Sequence, residues 1–328
     1  MISGKLKLSL LILILTGSLN LGCSKNERYI KSEGIIWNTI YHITYKGPEN
    51  LKDSILPVLN EVSRSLSIFH PNSLVSQLND NKRIKADRHF IAVYDESKRI
   101  NEISGGNFDP TLSPLIDAWG FGLKHVANSD TIAIDSILNF IGIAKTYRNN
   151  DTIVKEDIRT RFNFSAIAKG YGCDAVAEMF SRNGVEDYMI EIGGEITLRG
   201  QSPSGNKWSI GIDAPVENGV PGEEEVLVLS LTDCGVATSG NYRNFRREGE
   251  NIVAHTISPH TGRPFVSEIL SATVVATSCM EADGMATACM ASSLPEAISL
   301  IQTNPVEGLL IFQDSIWMSP GFKDLVAK

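Results

Sequence analysis

"EDYMIEIGGEITLRG" (residues 186–200) is strand-rich, and the two segments after it decide the fold. "KWSIGIDAP" (207–215) and "EEVLVLSLTDCGVATSG" (224–240) are also strand-rich, with no helical stretch between them. Helices therefore interrupt runs of adjacent strands rather than alternating with them one for one. That predicts an α+β fold and not a doubly wound parallel sheet. Working outward, "WNTIYHITYKG" (37–47) alternates like a strand, and "ILSATVVATS" (269–278) is a strand leading into a helix. "VEGLLIFQDSIWMS" (306–319) closes the chain as a hairpin. Helical periodicity runs through 53–69, with Pro57 near the start, and through 89–106, 172–184 and 295–302. "PVENGVPGEEE" (215–225) has the composition of a surface loop.

The chain has 328 residues, 42% hydrophobic and 21% charged, the balance of a globular protein with a sizeable core. A formal net charge of −8 argues against a broad nucleic-acid-binding face, which needs a basic surface. At the N-terminus, Lys5 and Lys7 precede an apolar run, "LSLLILILTGSL" (8–19), too short for a comfortable membrane span. It ends in "LNLGC", so that 1–22 reads as a signal peptide and Cys23 as a lipidation point. An ordinary signal peptide with a chance cysteine is the other reading. Residues 23–35 are expected to be a polar, lipid-anchored tether, and 36–328 one folded domain. The expected location is the bacterial cell envelope, on the extracytoplasmic (periplasmic) side. Cys173, Cys234, Cys279 and Cys289 show no CxxC spacing and sit among apolar or small residues, which predicts free thiols rather than a zinc cluster.

Phosphate-loop, nucleophile-elbow and zinc-helix signatures are absent. Five unusual segments remain. In "GGNFDPTLSPLIDAWGFG" (105–122), Asp109 and Thr111 suit either a ligand or the capping of the next turn. In "FNFSAIAKGYGCDAVA" (162–177), Lys169 near a helix start suits a bound phosphate, or is an inert surface lysine. "GVATSGNYRNF" (235–245) offers Arg243 as a phosphate grip. "AHTISPHTGRPF" (254–265) carries His255 and His260 in a turn-rich loop. In "EADGMATACM" (281–290), Ser278 and Glu281 fit a capping box, while Asp283 and Thr287 lie one helical turn apart on one face. Their oxygens are hard donors that favour Mg2+ over zinc; acidic end-residue and back-bonding roles are the structural alternative.

In order and wording these segments, with "LSIFHPNSLVSQLN" (66–79) and "IEIGGEI" (190–196), resemble the ApbE family, the FAD:protein FMN transferases. The resemblance spans about 36–320. It implies mixed, largely antiparallel sheets with packed helices, an arrangement related to the T-fold. It implies cleavage of FAD, attachment of FMN through a phosphoester to a threonine of an acceptor protein, and release of AMP with Mg2+. The metal ligands it implies are the Ala166 carbonyl and the Asp283 and Thr287 side chains. FAD contacts would be Trp37, Phe69, Asn107, Phe108, Asp109, Asn163, Lys169, His255 and Ile257, to which Arg243 is added as a candidate cofactor contact on its own chemistry. His255 would be the base that activates the threonine, with Asp283 catalytic beside it. Acceptors of this class include subunits of sodium-pumping NADH:quinone oxidoreductase and Rnf-type complexes. Trp37–Asn38, Asn163, Ser258 and His260 depart from the common family residues at those places. FAD hydrolysis with water in place of threonine, and FAD storage without catalysis, are the alternatives.

Overall fold

In "YMIEI" the side chains of Tyr188, Ile190 and Ile192 are buried while Met189 and Glu191 between them are half-buried. This is the period-two pattern of a strand with one well-covered face. Such strands organise a computed structural model of the chain, which describes residues 28–121, 134–215, 225–240, 245–248, 251–254, 256–265, 267–313 and 315–327. Eight of them make one sheet: β1 (Tyr29–Ile36), β2 (Thr39–Lys46), β3 (Tyr188–Ile192), β4 (Glu195–Arg199), β5 (Cys234–Gly240), β6 (Ile269–Ala276), β7 (Glu307–Phe312) and β8 (Ser315–Met318). They lie side by side in chain order, and each neighbouring pair is antiparallel. The α+β expectation is met.

Five helices cover one face: α1 (Lys52–Leu66), α2 (Arg88–Ile103), α3 (Ala168–Arg182), α4 (Cys279–Met290) and α5 (Leu294–Gln302). Ile43, Tyr45, Ile190 and Ile192 from the sheet pack there with Ile55, Leu59, Val176 and Phe180 from α1 and α3. On the other face, Leu198, Val236, Val275 and Leu309 meet the two-stranded ribbon Trp208–Asp213/Glu225–Leu231 and Phe322 of the C-terminal helix.

The helix α4 is buried on nearly every side, wedged between β5, β6, α2, α3 and α5. Small residues allow this. A Cβ on Gly170 of α3 would lie 2.3 Å from the Cys279 carbonyl oxygen and 2.8 Å from Asp283 Cβ, so α3 and α4 touch backbone to backbone. Ser278 caps α4 as expected, its Oγ accepting from the Glu281 N–H at 3.1 Å. Glu281 has another task than completing a capping box: it takes Arg99 Nη2 at 2.7 Å and Thr277 Oγ1 at 3.2 Å. The carboxylate that serves the first turn is Asp174 of α3, accepting from the Cys279 and Met280 N–H groups at 3.1 and 2.8 Å.

One boundary needs correction. Residues 29–35, expected within the tether, are part of β1, paired residue for residue with β2. Lys31 and Glu33 gave the segment its polar look, but they are on the exposed face while Ile30 and Ser32 are buried. Cys173, Cys279 and Cys289 are buried free thiols, and Cys234 is free and half-buried. Among the described residues no helix is long and apolar enough to cross a membrane. The signal segment 1–22 and Cys23 lie outside the described residues.

Candidate active site

A cavity of about 790 Å³ opens where α3 and α4 meet the loops after α2 and β5, a volume suited to a large small-molecule ligand. Asp283 reaches it from the middle of α4 and is 3% exposed. Its Oδ2 accepts from the Gly170 N–H at 3.0 Å, in the first turn of α3, where unpaired amides favour an anion. One turn along, Thr287 Oγ1 donates to the Ala166 carbonyl at 3.3 Å and lies 3.4 Å from Ser239 Oγ. The i, i+4 pair read from the sequence thus faces the one main-chain carbonyl expected beside it.

Lys169 stands between two acids. Its Nζ is ion-paired with Glu195 of β4, and both line the cavity with Asp283. Burial works against the ammonium, but Glu195 and Asp283 outweigh it, and the net shift holds Lys169 charged. Burial raises both carboxyls; Lys169 opposes this in each, and Glu195 still rises to about 8. An ammonium held by Glu195 and a Glu195 neutral at pH 7 are in tension. The direct contact makes the ion pair the resting state, with the nearby Asp283 charge adding to the upward push on Glu195.

The other expected contacts have separate fates. Asn107 lines the cavity and is tied on both sides, its Nδ2 donating to Ser292 Oγ at 2.8 Å and its Oδ1 3.0 Å from His260 Nε2. Asp109 is taken up within the protein: Oδ1 accepts from its own loop, the Thr111 N–H and Oγ1, at 2.7 and 2.6 Å, and Oδ2 from the distant Ile143 N–H at 3.0 Å. Asn163 lines the wall with Oδ1 accepting from the Ser165 N–H at 3.0 Å. Phe108 and Ile257 are buried in the wall, whereas Phe69 stands at the rim, 70% exposed. Trp37 is not among the lining residues: its indole donates to Ser63 Oγ and packs on Gly172 of α3. Arg243 and His255 lie outside the described residues.

Sequence reasoning missed Glu195 and Asp174. A signal existed for the first: Glu195 and Thr197 are buried on β4, an acid where a covered strand carries apolar side chains. Asp174 offered none, because only the fold brings α3 against the start of α4.

The ApbE family model matches residues 37–310. The FAD:protein FMN transferase of Vibrio cholerae serotype O1 is 32% identical over 316 residues, 92% of each chain. That of Haemophilus influenzae is 30% identical, over 89% of this chain and 88% of its own. The solved flavin transferase ApbE from Vibrio cholerae superposes with a TM-score of 0.80 at 30% identity, covering 91% of this chain and 99% of that one. The ApbE protein of Thermotoga maritima, 22% identical, shares the fold with a TM-score of 0.80 over 92% of this chain and all of its own.

Proposed function

The chain belongs to the ApbE family, and we infer that it is a flavin transferase, taking FAD as substrate and passing its FMN half to an acceptor protein. One observation in the chain itself carries the reading: Asp283, Thr287, the Ala166 carbonyl and Lys169 converge on a single cavity, although Ala166 and Thr287 are 121 positions apart.

We propose further that the acceptor group is a threonine hydroxyl and that AMP leaves. Asp283, Thr287 and the Ala166 carbonyl would hold Mg2+. All three are hard oxygen donors, and a sparse protein set suits an ion that keeps waters and substrate phosphate oxygens. One carboxylate, one hydroxyl and one main-chain carbonyl are not the nitrogen and sulfur donors of a zinc cage. When bound, the ion would neutralise phosphate charge and stabilise the charge that develops as the pyrophosphate is split. Lys169 contributes a fixed ammonium at the same wall, and Glu195 fixes its position. The Gly170 N–H orients the Asp283 carboxylate. Proton removal from the threonine is assigned to His255 on its sequence context, and phosphate grip to Arg243 likewise. Asn107, Phe108, Ile257 and Phe69 give the flavin its walls.

The signal segment and Cys23 support a lipoprotein held at the extracytoplasmic face of the cell envelope. Acceptors reached from there are subunits of the sodium-pumping NADH:quinone oxidoreductase or Rnf-type complexes. The test combines purified mature protein, FAD, Mg2+ and such an acceptor domain. A fluorescent acceptor band and stoichiometric AMP are expected, and Asp283→Ala should remove both. AMP with an unlabelled, competent acceptor would make the protein a hydrolase; tight FAD binding without AMP would make it a flavin store. Full activity in Asp283→Ala would overturn the metal assignment.

A further inference from the structure

Lys169 is the only basic residue among the described residues lining the cavity, against Asp109, Asp117, Glu195 and Asp283. Two of those acids are engaged elsewhere. Asp109 accepts from the Thr111 and Ile143 N–H groups, and Asp117 faces Arg161 at 3.8 Å. Glu195 and Asp283 remain with Lys169, two carboxylates to one ammonium.

The ammonium is not at liberty to serve a ligand alone. Its side chain is 35% exposed, whereas that of Glu195 is 4% exposed and bonds it from inside the wall. The second oxygen of Glu195, Oε2, is buried and has no hydrogen-bond partner. A carboxylate in that position has given up water and gained one cation in return. Evolving a cavity for a dianionic pyrophosphate would not require it, because an unpaired lysine would attract the phosphates more strongly.

We propose that Glu195 makes the cavity depend on a divalent cation: by cancelling Lys169 it leaves the Asp283 charge unmatched at this wall, so that a pyrophosphate ligand binds there more tightly together with that cation than without it. The inference rests on the proposed Mg2+-dependent FAD site and assigns the cation requirement to a residue that is not a metal ligand. Glu195 acts through Lys169 and Asp283 and is a positioning residue. Without it, Lys169 and Asp283 would neutralise each other, and the wall would no longer repel a free pyrophosphate or call for a counter-ion.

Binding, rather than turnover, tests this. FAD is titrated by flavin fluorescence in excess chelator and in Mg2+, and Mn2+ alone is titrated by electron paramagnetic resonance. In Glu195→Gln, FAD in chelator should bind about tenfold tighter than in the wild type, and Mn2+ about tenfold weaker, the scale of one charge a few ångströms away in a partly screened site. Lys169→Gln should shift both the other way. A structural role for Glu195 would instead weaken FAD binding with and without metal, and that result overturns the proposal. If Glu195→Gln fails to fold by circular dichroism, Lys169→Gln decides: Mn2+ affinity no higher than wild type overturns it. Wild-type protein that binds FAD equally well with and without cation overturns this proposal and leaves flavin transfer standing. Wild-type protein that binds no FAD under either condition overturns both.

Discussion

Gly170 carries two demands in one position. Its N–H holds Asp283 Oδ2 at 3.0 Å, and its missing side chain lets α4 approach to where a Cβ would be 2.3 Å from a main-chain oxygen. Neither neighbour is the end of a flexible side chain, so the backbones must part. Gly170→Ala should therefore lose about 2–4 kcal/mol in denaturant unfolding, at the upper end of overpacking costs. It should also weaken FAD binding in the protein that still folds. A loss below about 0.5 kcal/mol would mean that α3 and α4 are not in contact there. At this scale the sequence was partly legible. Asp283 and Thr287 could be paired by helical spacing alone, because both ends of the pair lie on one element. Glu195 and Asp174 act across elements, and no local spacing connects Glu195 to Lys169 or Asp174 to Met280. Asp109 showed the opposite limit, since its two readings differ only in where its oxygens end up, and Thr111 and the Ile143 N–H take them.

The start of α4 rests on a borrowed carboxylate. Asp174 accepts from Met280 and Cys279 N–H groups and from Thr197 Oγ1. Burial nevertheless outweighs those bonds and lifts its carboxyl to about 6. An acid raised in the folded state stabilises the fold when protonated. That contribution is whole below the ordinary value near 4 and is lost as pH rises through about 6. The shift of roughly two units corresponds to at most about 3 kcal/mol. The unfolding free energy of the wild type should therefore decline between pH 4 and 6.5 relative to Asp174→Asn, whose curve lacks that component. Parallel curves for the two proteins would show that Asp174 stays ionised throughout. Helices were the elements best read from sequence: the expected 53–69, 89–106 and 295–302 correspond to Lys52–Leu66, Arg88–Ile103 and Leu294–Gln302. Each has a one-sided apolar pattern, and α2 has a capping Asp87 at its start. Helical periodicity is legible from 172, and the sequence places Lys169 near a helix start; α3 begins at Ala168, and its glycines at 170 and 172 are the positions where Cys279 and Trp37 approach the backbone.

For the molecule as a whole, the first strand sets where the folded unit begins. The family match starts at residue 37, yet β1 ends at Ile36 and covers the edge of β2. A protein beginning at residue 28 should melt like one retaining the tether. One beginning at residue 37 leaves β2 as an uncovered edge, a template for association. It should melt about 5 °C lower or more and elute with aggregates in size-exclusion chromatography. Equal melting temperatures would place β1 outside the folded unit. The sheet's sequential order, β1 to β8 across the molecule, has a consequence for how such a protein can diversify. Between β2 and β3 lie residues 47–187, which supply α1, α2, α3 and much of the cavity wall. Lengthening or shortening so long an excursion costs little, since even a doubling adds only about 0.6 kcal/mol. Segments lining the cavity can therefore lengthen, shorten or be exchanged in descendants of this chain while the strands on either side keep their partners. The sheet is inherited as a frame, and the excursion between its second and third strands is where a new acceptor preference can be written.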